Sequence, residues 1–576
     1  MATTAQQEPR AFWPANGLAT LLDVATASHR RAAAFLVLVA LIAFLPGFFR
    51  VAPIDRDEAR FAQATKQMVE SGDYVDIRYQ DEVRYKKPVG IYWLQAAAVH
   101  AGEALGVPEA RTAIWLYRLP SLIGAIGAVL VTYWAALAFV SRRGAYLAGL
   151  MMATSILLGV EARLAKTDAM LLLACIATMG ALARAYLAGQ PGAGRPAQPV
   201  GWGTAAIFWT AMAGGILLKG PLILFFSAAT AVTLIAIDRR GRWLLALKPL
   251  PGLAWMLLLV LPWFVAILTR SGDAFLAESV GRDFLSKLTS GQESHGAPPG
   301  YYFLLFWLTF WPAAPLAAVT APGVWAARRD PGVKFLLAWL VPAWIVFELV
   351  ITKLPHYVLP LYPAIAILIA TGIERKALSD NPHLTRTTMM WPIIAALVPV
   401  AGVVGVILLR GQLGLVAWPF AAAALIFGFL AWRLYEADGV VHSFLRATVA
   451  AILMGIAVFE AILPLLRPLF PARDLVQIVA ESGCPDPAIA SAGYHEPSLV
   501  FLLGTETRLT DGGHAADFMA QGDCRIGIIE SRQQRSYIQR AEAIGLRYRA
   551  VGQLEGINIS GGRPVTLSVF ASEGGR

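Results

Sequence analysis

Long apolar segments alternate with short polar links along most of the chain, and a membrane span needs about 20 predominantly apolar residues. Thirteen segments approach that length before residue 467. They lie near residues 32–50, 113–140, 144–160, 168–188, 203–218, 221–238, 250–269, 300–320, 333–351, 356–373, 389–409, 412–432 and 446–466. This pattern predicts a polytopic α-helical membrane protein with about 13 transmembrane helices.

Basic residues occur in every second link between these segments. With the N-terminus in the cytoplasm, the inner links carry Arg142 and Arg143; Arg184 and Arg195; Arg239, Arg240 and Arg242; Arg328 and Arg329; Arg375, Lys376 and Arg386; Arg433 and Arg446. This alternation satisfies the positive-inside rule along the whole chain. An odd number of spans then places the tail, from Arg467 onward, outside the cytoplasm.

The polar segment after the first apolar stretch, residues 51–112, is too polar to lie in lipid. Within it, Asp57–Glu70 places Phe61 and Met68 on one face at helical spacing. This spacing predicts an amphipathic helix on the membrane surface. Gly72 follows, and glycine is a favoured helix terminator.

The tail of about 110 residues lacks long apolar runs. Short runs such as Ile526–Ile529 and Thr566–Phe570 predict strands, and residues 534–545 show a helical pattern between them. We therefore expect two parts: residues 1–466, the transmembrane region with its first outer loop, 51–112, and residues 467–576, a small C-terminal α/β domain on the outer side.

The composition agrees with a lipid environment. Of the 576 residues, 57% are hydrophobic and 15% charged, whereas soluble domains average roughly 45–50% and about 25%. The net charge of +10 does not require nucleic acid. Basic residues flank spans on the cytoplasmic side, and the remainder can meet anionic lipid headgroups or a phosphorylated substrate.

The chain has three cysteines. Cys175 lies in an apolar run and is expected to pack there. Cys484 and Cys524 lie in the tail and can form a disulfide if the tail is in an oxidising compartment. Spacing alone does not establish the geometry of a bond, so this pairing stays open.

Ionisable residues other than the cytoplasmic arginines gather on the predicted outer side. They are Asp55, Asp57, Glu58, Arg60, Arg84, Lys86, Lys87, Glu161, Arg163, Lys166, Asp168, Lys219, Arg282, Asp283, Glu293, His295, Lys353 and His356, with Tyr357 beside the last. Charges in or beside a membrane are costly, so their coincidence on one face indicates an active site there. Lysines and arginines can stabilise the departing phosphate of a polyprenyl-phosphate sugar, and a carboxylate can act as general base.

Five segments in the same order carry a family resemblance. They are Ile54–Leu94 (IDRDEARFAQATKQMVESGDYVDIRYQDEVRYKKPVGIYWL), 162–170 (ARLAKTDAM), 217–221 (LLKGP), 293–302 (ESHGAPPGYY) and 352–363 (TKLPHYVLPLYP). Together they resemble the bacterial 4-amino-4-deoxy-L-arabinose lipid A transferase family. That family belongs to the GT-C glycosyltransferases and is related to the protein O-mannosyltransferases.

The resemblance implies an inverting glycosyltransferase of the inner membrane that moves a sugar from undecaprenyl phosphate to lipid A or another periplasmic acceptor. It implies catalytic carboxylates at Asp57, in the DE-x-R motif, and at Asp168, at the start of the fourth span. The residues that it assigns to donor phosphate or substrate are Glu58, Arg60, Lys87, Lys219, His295, Lys353 and Tyr357.

One departure from the family bears on a metal cofactor. Several members carry Glu where this chain has Lys86, and that Glu can join a histidine in holding a metal ion. A lysine is no ligand for a hard metal ion at neutral pH, and its charge repels a cation. We therefore predict no metal ligand, although the family leaves a divalent ion open.

Structural roles compete with several of these assignments. Asp57 is also a favourable N-cap for the helix that follows, and Asp55 is a candidate cap or solvated neighbour. Asp168 can form a structural ion pair with Arg163 or Lys166. In the same way, Lys87 can anchor to lipid headgroups, while His295 can be an ordinary loop histidine and His356 a packing residue.

Three other functions remain open. A protein or polysaccharide glycosyltransferase of the same class differs only in its acceptor. A transporter would place charges in the middle of spans and carry internal repeats, and we find no repeat. A non-enzymatic envelope scaffold would tolerate loss of the Asp57 carboxylate, whereas an enzyme would not.

Overall fold

The computed structural model describes residues 15–190, 200–276 and 296–573. The helices of its first half are α1 (Ala15–Thr26), α2 (His29–Phe44), α3 (Asp57–Ser71), α4 (Gly90–Ala104), α5 (Ile114–Ala136), α6 (Arg142–Thr154), α7 (Ile156–Glu161), α8 (Asp168–Ala188), α9 (Trp202–Lys219), α10 (Leu222–Asp238), α11 (Pro249–Ser271) and α12 (Asp273–Leu276).

The transmembrane region continues to a π-helix at Ile456–Ile462. Its remaining helices are α13 (Tyr301–Thr309), α14 (Ala314–Ala326), α15 (Pro331–Leu349), α16 (Tyr362–Glu374), α17 (Pro382–Thr385), α18 (Met390–Arg410), α19 (Trp418–Arg433) and α20 (Tyr435–Gly455). Short 3₁₀ turns join several of these, including Arg242–Leu247 and Pro355–Leu361, which leads directly into α16.

The predicted polytopic helical architecture is confirmed. Among the described residues, 8 helices are long and apolar enough to cross a membrane, or up to 10 when each bent pair counts as one span. Each of the thirteen predicted segments contains a helix. The number thirteen itself stays a prediction, because several of these helices are shorter than a span.

Burial separates central from peripheral helices. In the apolar window of Pro355–Glu374, 83% of the residues are buried, and in that of α8, 72%. The corresponding share is only 22% in α11. The central helices carry the buried charges described below, whereas α11 presents apolar side chains outward, as expected of a lipid-facing helix.

The first loop holds α3, a short hairpin and α4. The hairpin pairs β1 (Arg78–Tyr79) with β2 (Glu82–Val83). The predicted helix α3 is confirmed, and it ends at Gly72, whose φ of 69° suits glycine. The helix α4 was not predicted from the sequence.

Protein covers most of α3, which was predicted to lie with its apolar face on the membrane. Ten of its 15 residues are buried, because the helix is enclosed between α4 and the C-terminal part of the chain. An amphipathic pattern reports one apolar face, but it does not say whether lipid or protein covers that face.

The C-terminal sheet domain, residues 471–573, combines five strands with four helices. The strands are β3 (Ala488–Ala492), β4 (Arg508–Thr510), β5 (Arg525–Glu530), β6 (Tyr548–Asn558) and β7 (Arg563–Ser572). They lie in the order β4-β3-β5-β7-β6. The β3 strand runs parallel to β4 and β5, while β7 is antiparallel to β5 and β6.

The helices of this domain are α21 (Pro471–Ala480), α22 (Pro497–Leu503), α23 (Gly512–Met519) and α24 (Gln534–Ala543). The strands predicted at Ile526–Ile529 and Thr566–Phe570 and the helix predicted near 534–545 are present. Cys484 and Cys524 form a disulfide with their Cα atoms 5.4 Å apart, while Cys175 is free and buried.

Candidate functional site

A compact group of charged side chains lies where α7, α8 and α9 meet. Glu161 is the last residue of α7 and Asp168 the first of α8. The Lys219 ammonium, at the end of α9, lies 2.5 Å from Oδ1 of Asp168. Lys166 Nζ lies 3.1 Å from Glu161 and 3.6 Å from Asp168. We call these four residues, with His356, the buried charge cluster.

His356 completes the cluster from the 3₁₀ turn before α16. Its Nδ1 lies 3.6 Å from Glu161 and its Nε2 lies 3.6 Å from Asp168. The imidazole therefore lies between the two carboxylates, close to both but beyond hydrogen-bond distance of either. Because the ring contacts two buried carboxylates, His356 has an electrostatic role in addition to packing.

Charge balance explains how such a cluster can be buried. Isolated charges in a low-dielectric interior are very costly, and pairing offsets that cost. Two carboxylates face two ammonium groups here, and the side chains of Asp168 and Lys219 are only 5% and 12% exposed. Asp168 pairs with Lys166, as one structural alternative proposed, and also with Lys219.

Asp57 lies next to this cluster at the first residue of α3, and its side chain is exposed. Burial alone would lower the pKa of Lys166, but the charges of Glu161, Asp168 and Asp57 together raise it. Lys166 thus stays protonated with Asp57 in electrostatic reach. Arg56, not Asp57, is the N-cap residue, so the capping alternative for Asp57 is wrong.

Asp57 and Arg60 share another property. Within the described part of the chain, neither side chain makes a hydrogen bond or an ion pair, and Arg60 is half-buried. A charged pair on one helical turn with no assigned protein partner can bind a ligand without breaking a protein contact. Asp57 thus remains the proposed catalytic carboxylate, and Arg60 a proposed contact of the donor phosphate or substrate.

Glu58 has a different environment from the one predicted. Its carboxylate accepts hydrogen bonds from Arg118 at 2.8 and 2.9 Å and from the backbone N–H groups of Ile54 and Ala165. Glu58 is 2% exposed and Arg118 0%. Both oxygens are thus held in a closed site, which gives Glu58 a structural role, and its substrate-binding role stays a prediction.

Lys87 and Tyr357 approach the cluster from two directions. Lys87 is half-buried, and its charge acts on His356. The Lys219 ammonium lies 5.6 Å from the centre of the Tyr357 ring. Gly90 brings this part of the loop close to α9, because a Cβ at this position would lie 2.7 Å from the carbonyl oxygen of Leu217.

Lys353 is committed to backbone contacts. It is 4% exposed, and its ammonium donates to the carbonyl oxygens of Ala297 and Val350 at 2.8 and 2.6 Å. Two of its three protons are thus used in holding the chain ahead of α16. The contact predicted between Lys353 and the donor phosphate would have to use the third. His295 lies outside the described residues.

Arg163 does not pair with Asp168, contrary to the other structural alternative. Its guanidinium donates to the carbonyl oxygen of Pro46 at 2.7 Å and to those of Ala43 and Gly159. It also lies 4.0 Å from the ring centre of Phe459. These contacts give Arg163 a structural role between the first span and the last.

Asp55 is buried as well, at 7% exposure, and is not the solvated neighbour that the sequence suggested. Its carboxylate accepts the backbone N–H of Ser498 in the C-terminal sheet domain at 2.9 Å. Burial, with a smaller contribution from nearby Glu496, raises its pKa to about 6.

The chemistry of the donors argues against a resident metal ion. Glu161, Asp168 and His356 have ligand atoms within 4.8 Å of one another, close enough in principle to share an ion. The Lys166 and Lys219 ammonium groups already neutralise these carboxylates, and a divalent cation would be repelled by both. Lys86, at the position of the family Glu, adds no ligand. The described residues therefore do not fit a hard-metal centre.

Two features of the site were not assigned a role in advance. Arg118 lies within the predicted span 113–140, and an ionisable residue inside an apolar run was the signal that could have identified it. Glu161 and His356 belonged to the outer charges, but their contact with Asp168 depends on three separate helices. Spacing along the chain could not place them together.

A sequence model of one family matches part of the chain. It is the model described as dolichyl-phosphate-mannose-protein mannosyltransferase, and it covers residues 29–274. This range includes Asp57, Lys87, Asp168 and Lys219. The fold is that of a polytopic helical membrane protein, as predicted.

Particular relatives carry the name undecaprenyl phosphate-alpha-4-amino-4-deoxy-L-arabinose arabinosyl transferase. The Erwinia tasmaniensis protein is 27% identical over 64% of this chain and 63% of its own length. The Edwardsiella ictaluri protein is 26% identical over 70% and 71%, and the protein of Pseudomonas aeruginosa PAO1 27% over 59% and 60%. The match thus spans less than two thirds of the first and third relatives.

The fold is similar to that of ArnT from Cupriavidus metallidurans. The crystal structure bound to undecaprenyl phosphate superposes with a TM-score of 0.70 and 21% identity, covering 93% of this chain and 97% of that one. The apo structure gives 0.69 and 19%. The resemblance to the 4-amino-4-deoxy-L-arabinose lipid A transferase family is therefore confirmed.

Proposed function

We propose that this protein is an inverting glycosyltransferase that moves a sugar from undecaprenyl phosphate to lipid A. The observation that carries this proposal is the buried charge cluster, with the exposed Asp57 and Arg60 beside it. The relatives named as arabinosyl transferases support 4-amino-4-deoxy-L-arabinose as the donor sugar. A similar fold that binds undecaprenyl phosphate supports the carrier.

Cations on three elements supply the phosphate site. Lys219 at the end of α9, Lys87 in the first loop and Arg60 on α3 would stabilise the negative charge that develops on the leaving phosphate. Asp168 orients Lys219 through their ion pair. The Tyr357 ring lies beside the Lys219 ammonium. The prenyl chain lies among the apolar helices that surround the cluster.

Asp57 faces the acceptor, and the acceptor decides its task. A lipid A phosphate is already an anionic nucleophile, so Asp57 would orient it and the sugar. A sugar or protein hydroxyl must lose a proton on attack, and Asp57 would then be its general base. No step needs Glu58, which instead fixes the turn that carries Asp57.

The reaction requires the site to face the periplasm. We propose that the chain spans the bacterial inner membrane with its N-terminus in the cytoplasm, as the distribution of basic residues indicates. Residues 467–576 would then form a separate periplasmic α/β domain. The partners of the whole protein are the lipid-linked donor, the lipid A acceptor and the surrounding membrane lipids.

Mass spectrometry of lipid A and core from cells tests this function. We expect a sugar-sized mass on lipid A in cells with the wild-type protein, and its absence both in a deletion strain and with Asp57→Asn. Asp81→Asn changes an exposed carboxylate of the same loop and should keep the modification.

Unchanged lipids in all four strains would contradict the lipid A acceptor. The same samples would then be examined for glycoprotein and surface polysaccharide, the acceptors of the nearest alternatives. A modification that persists with Asp57→Asn would instead remove Asp57 from the mechanism, and complete tolerance of that change together with no altered glycan would favour the scaffold.

A further inference from the structure

The C-terminal sheet domain contacts α3 along its whole length. Near the start of the helix, Arg56 donates to the carbonyl oxygen of Ser560 at 2.8 Å. In the middle, Gln63 donates to Thr505 at 2.9 Å and Lys66 to the carbonyl oxygen of Phe501 at 2.9 Å. One helix of the first loop is thus held by a domain more than 400 residues further along the chain.

The hairpin after α3 extends this interface. The side-chain amide of Gln80 donates to the carbonyl oxygens of Thr505 and Thr507 at 2.9 and 2.6 Å. Near the C-terminal end of α3, Glu70 accepts a hydrogen bond from Thr505 at 2.7 Å. The contacts are polar and directional, so they set the orientation of α3 as well as its proximity.

Asp55 forms the innermost contact. Its carboxylate accepts the N–H of Ser498, and the residue is more than nine-tenths buried. Ser560, which accepts from Arg56, also donates its hydroxyl to Glu496 at 2.7 Å. The two residues that precede Asp57 are therefore bound to one connected part of the sheet domain.

The backbone at Arg56 makes this support necessary. Arg56 has a φ of 73°, in the left-handed region that non-glycine residues seldom occupy. Such conformations persist where surrounding contacts over-determine them. Here the backbone of Arg56 is held by contacts before and after Asp57. Asp55 and Arg56 bind the sheet domain, and Glu58 binds Arg118.

Asp57 itself lacks a side-chain hydrogen bond or ion pair among the described residues. Its carboxylate is therefore placed only through its own backbone. Since that backbone is fixed by its neighbours, the position of the carboxylate depends on what holds them.

We propose that the C-terminal sheet domain positions the Asp57 carboxylate for reaction, and that Asp55 is the positioning residue through which it acts. This inference rests on the proposed glycosyl transfer and gives the sheet domain a role in it. Asp55 does not touch substrate. It holds the turn that aims Asp57 at the space beside Lys219 and Lys87.

Steady-state kinetics of the full-length protein with undecaprenyl-phosphate-linked aminoarabinose and lipid A test the inference. We expect Asp55→Ala to lower kcat at least tenfold, because a misplacement of about 1 Å can cost up to a hundredfold in rate. The KM for the donor should change less than kcat, since two of the three cations proposed to bind its phosphate, Lys87 and Lys219, lie outside α3. Partial unfolding also lowers the apparent kcat at constant KM, so each rate is divided by the folded fraction of that variant.

Asp55→Asn is the conservative variant, which should retain the activity that Asp55→Ala loses. Its amide oxygen can still accept the Ser498 N–H, so we expect kcat within threefold of wild type. Asp81→Ala, an exposed carboxylate in the same loop, should leave both constants unchanged. Thermal unfolding of each purified variant shows that the folded protein is being compared, and Gln63→Ala tests the same interface if Asp55→Ala does not fold.

Three results would overturn the inference: an unchanged kcat in Asp55→Ala, a loss confined to KM, or an Asp55→Asn variant as slow as Asp55→Ala. Asp57→Asn, measured in parallel, separates this failure from that of the proposed function. If Asp57→Asn is inactive while Asp55→Ala is fully active, only the positioning role is wrong. If Asp57→Asn is itself fully active, the mechanism assigned to Asp57 is wrong.

Discussion

Lys219 is bound to a buried aspartate, and the same ammonium is proposed to bind the donor phosphate. These two roles are compatible, because an ammonium has three protons and the hydrogen bond to Asp168 uses one of them. His356 and Lys166 contact Asp168 as well. The aspartate therefore keeps partners if Lys219 is removed, which makes this lysine a suitable probe.

Replacement of Lys219 by alanine should lower kcat/KM for the donor about a hundredfold or more, as expected when one charged group that stabilises a developing anion is lost. Initial rates at varied donor concentration measure this. Lys334→Ala is the matched control, because Lys334 forms a similar half-buried pair with Asp238 at 2.6 Å on other helices. Equal losses in the two variants would show that Lys219 acts on stability, not on the donor.

Asp55 gives the interface between α3 and the sheet domain a pH dependence. Its folded-state pKa, about 6, lies above the ordinary 3.8, mainly through burial, helped by Glu496 and opposed by the Ser498 hydrogen bond and Arg60. A raised carboxyl pKa means that the folded protein binds the proton more tightly. The contribution of Asp55 to stability thus decreases as the pH rises from about 4 to 6 and is constant above.

Asp55→Asn cannot ionise, so it should be more stable than wild type at pH 7.5, by on the order of 3 kcal/mol for a shift of this size. The difference should shrink towards pH 4. Thermal unfolding of both proteins in detergent across this range measures it. A wild-type protein that gains stability relative to Asp55→Asn as the pH rises would contradict the burial argument.

At the scale of elements, the π-helix Ile456–Ile462 ties the last span to the end of the first. Glu460 accepts the N–H of Gly47 at 2.6 Å and pairs with Arg50 at 2.8 Å. A Cβ added to Gly47 would lie only 2.4 Å from the carbonyl oxygen of Phe459. A π-helix inside an α-helix often marks a special site, and here it forms a close backbone contact.

Gly47→Ala should therefore destabilise the protein strongly, by at least about 3 kcal/mol, because a left-handed φ of 76° is combined with a clash against backbone. Gly72→Ala is its control. Gly72 has a similar φ of 69° with nothing within 4 Å, so only about 1–2 kcal/mol of strain is expected. Unfolding temperatures compare them, and similar shifts would exclude the clash as the cause.

At the scale of the whole molecule, one disulfide reports on the compartment of the tail. Cys484 and Cys524 are 40 residues apart, and closing a loop of this length stabilises a domain by about 4 kcal/mol in the chain-entropy model. Such bonds persist in oxidising compartments and are rare in the cytoplasm. The redox state of these cysteines in cells is therefore a measure of topology.

A maleimide polymer added to protein denatured directly from cells should label one thiol, that of Cys175, and all three after reduction. Gel mobility counts the labels. Three labels without reduction would place the tail in a reducing compartment and contradict the proposed periplasmic location of the sheet domain. A Cys484→Ser, Cys524→Ser double variant should give one label under both conditions.

The sequence by itself determined the class of the molecule. Apolar runs of span length and alternating basic links are local properties that the membrane environment selects directly. The ordered motifs around Asp57, Lys87, Asp168 and Lys219 are likewise readable along the chain. Strand and helix patterns in the tail were local in the same sense. The helix at Asp57–Ser71 was predictable from spacing alone.

Only the tertiary structure decided what covers each face and which charges meet. Protein, not lipid, encloses α3, and Arg118 takes both oxygens of Glu58. Asp55 is bound by Ser498, a residue 443 positions further along the chain. Pairings between distant residues depend on how helices pack in three dimensions, and hydrophobic periodicity within a single chain segment carries no information about them.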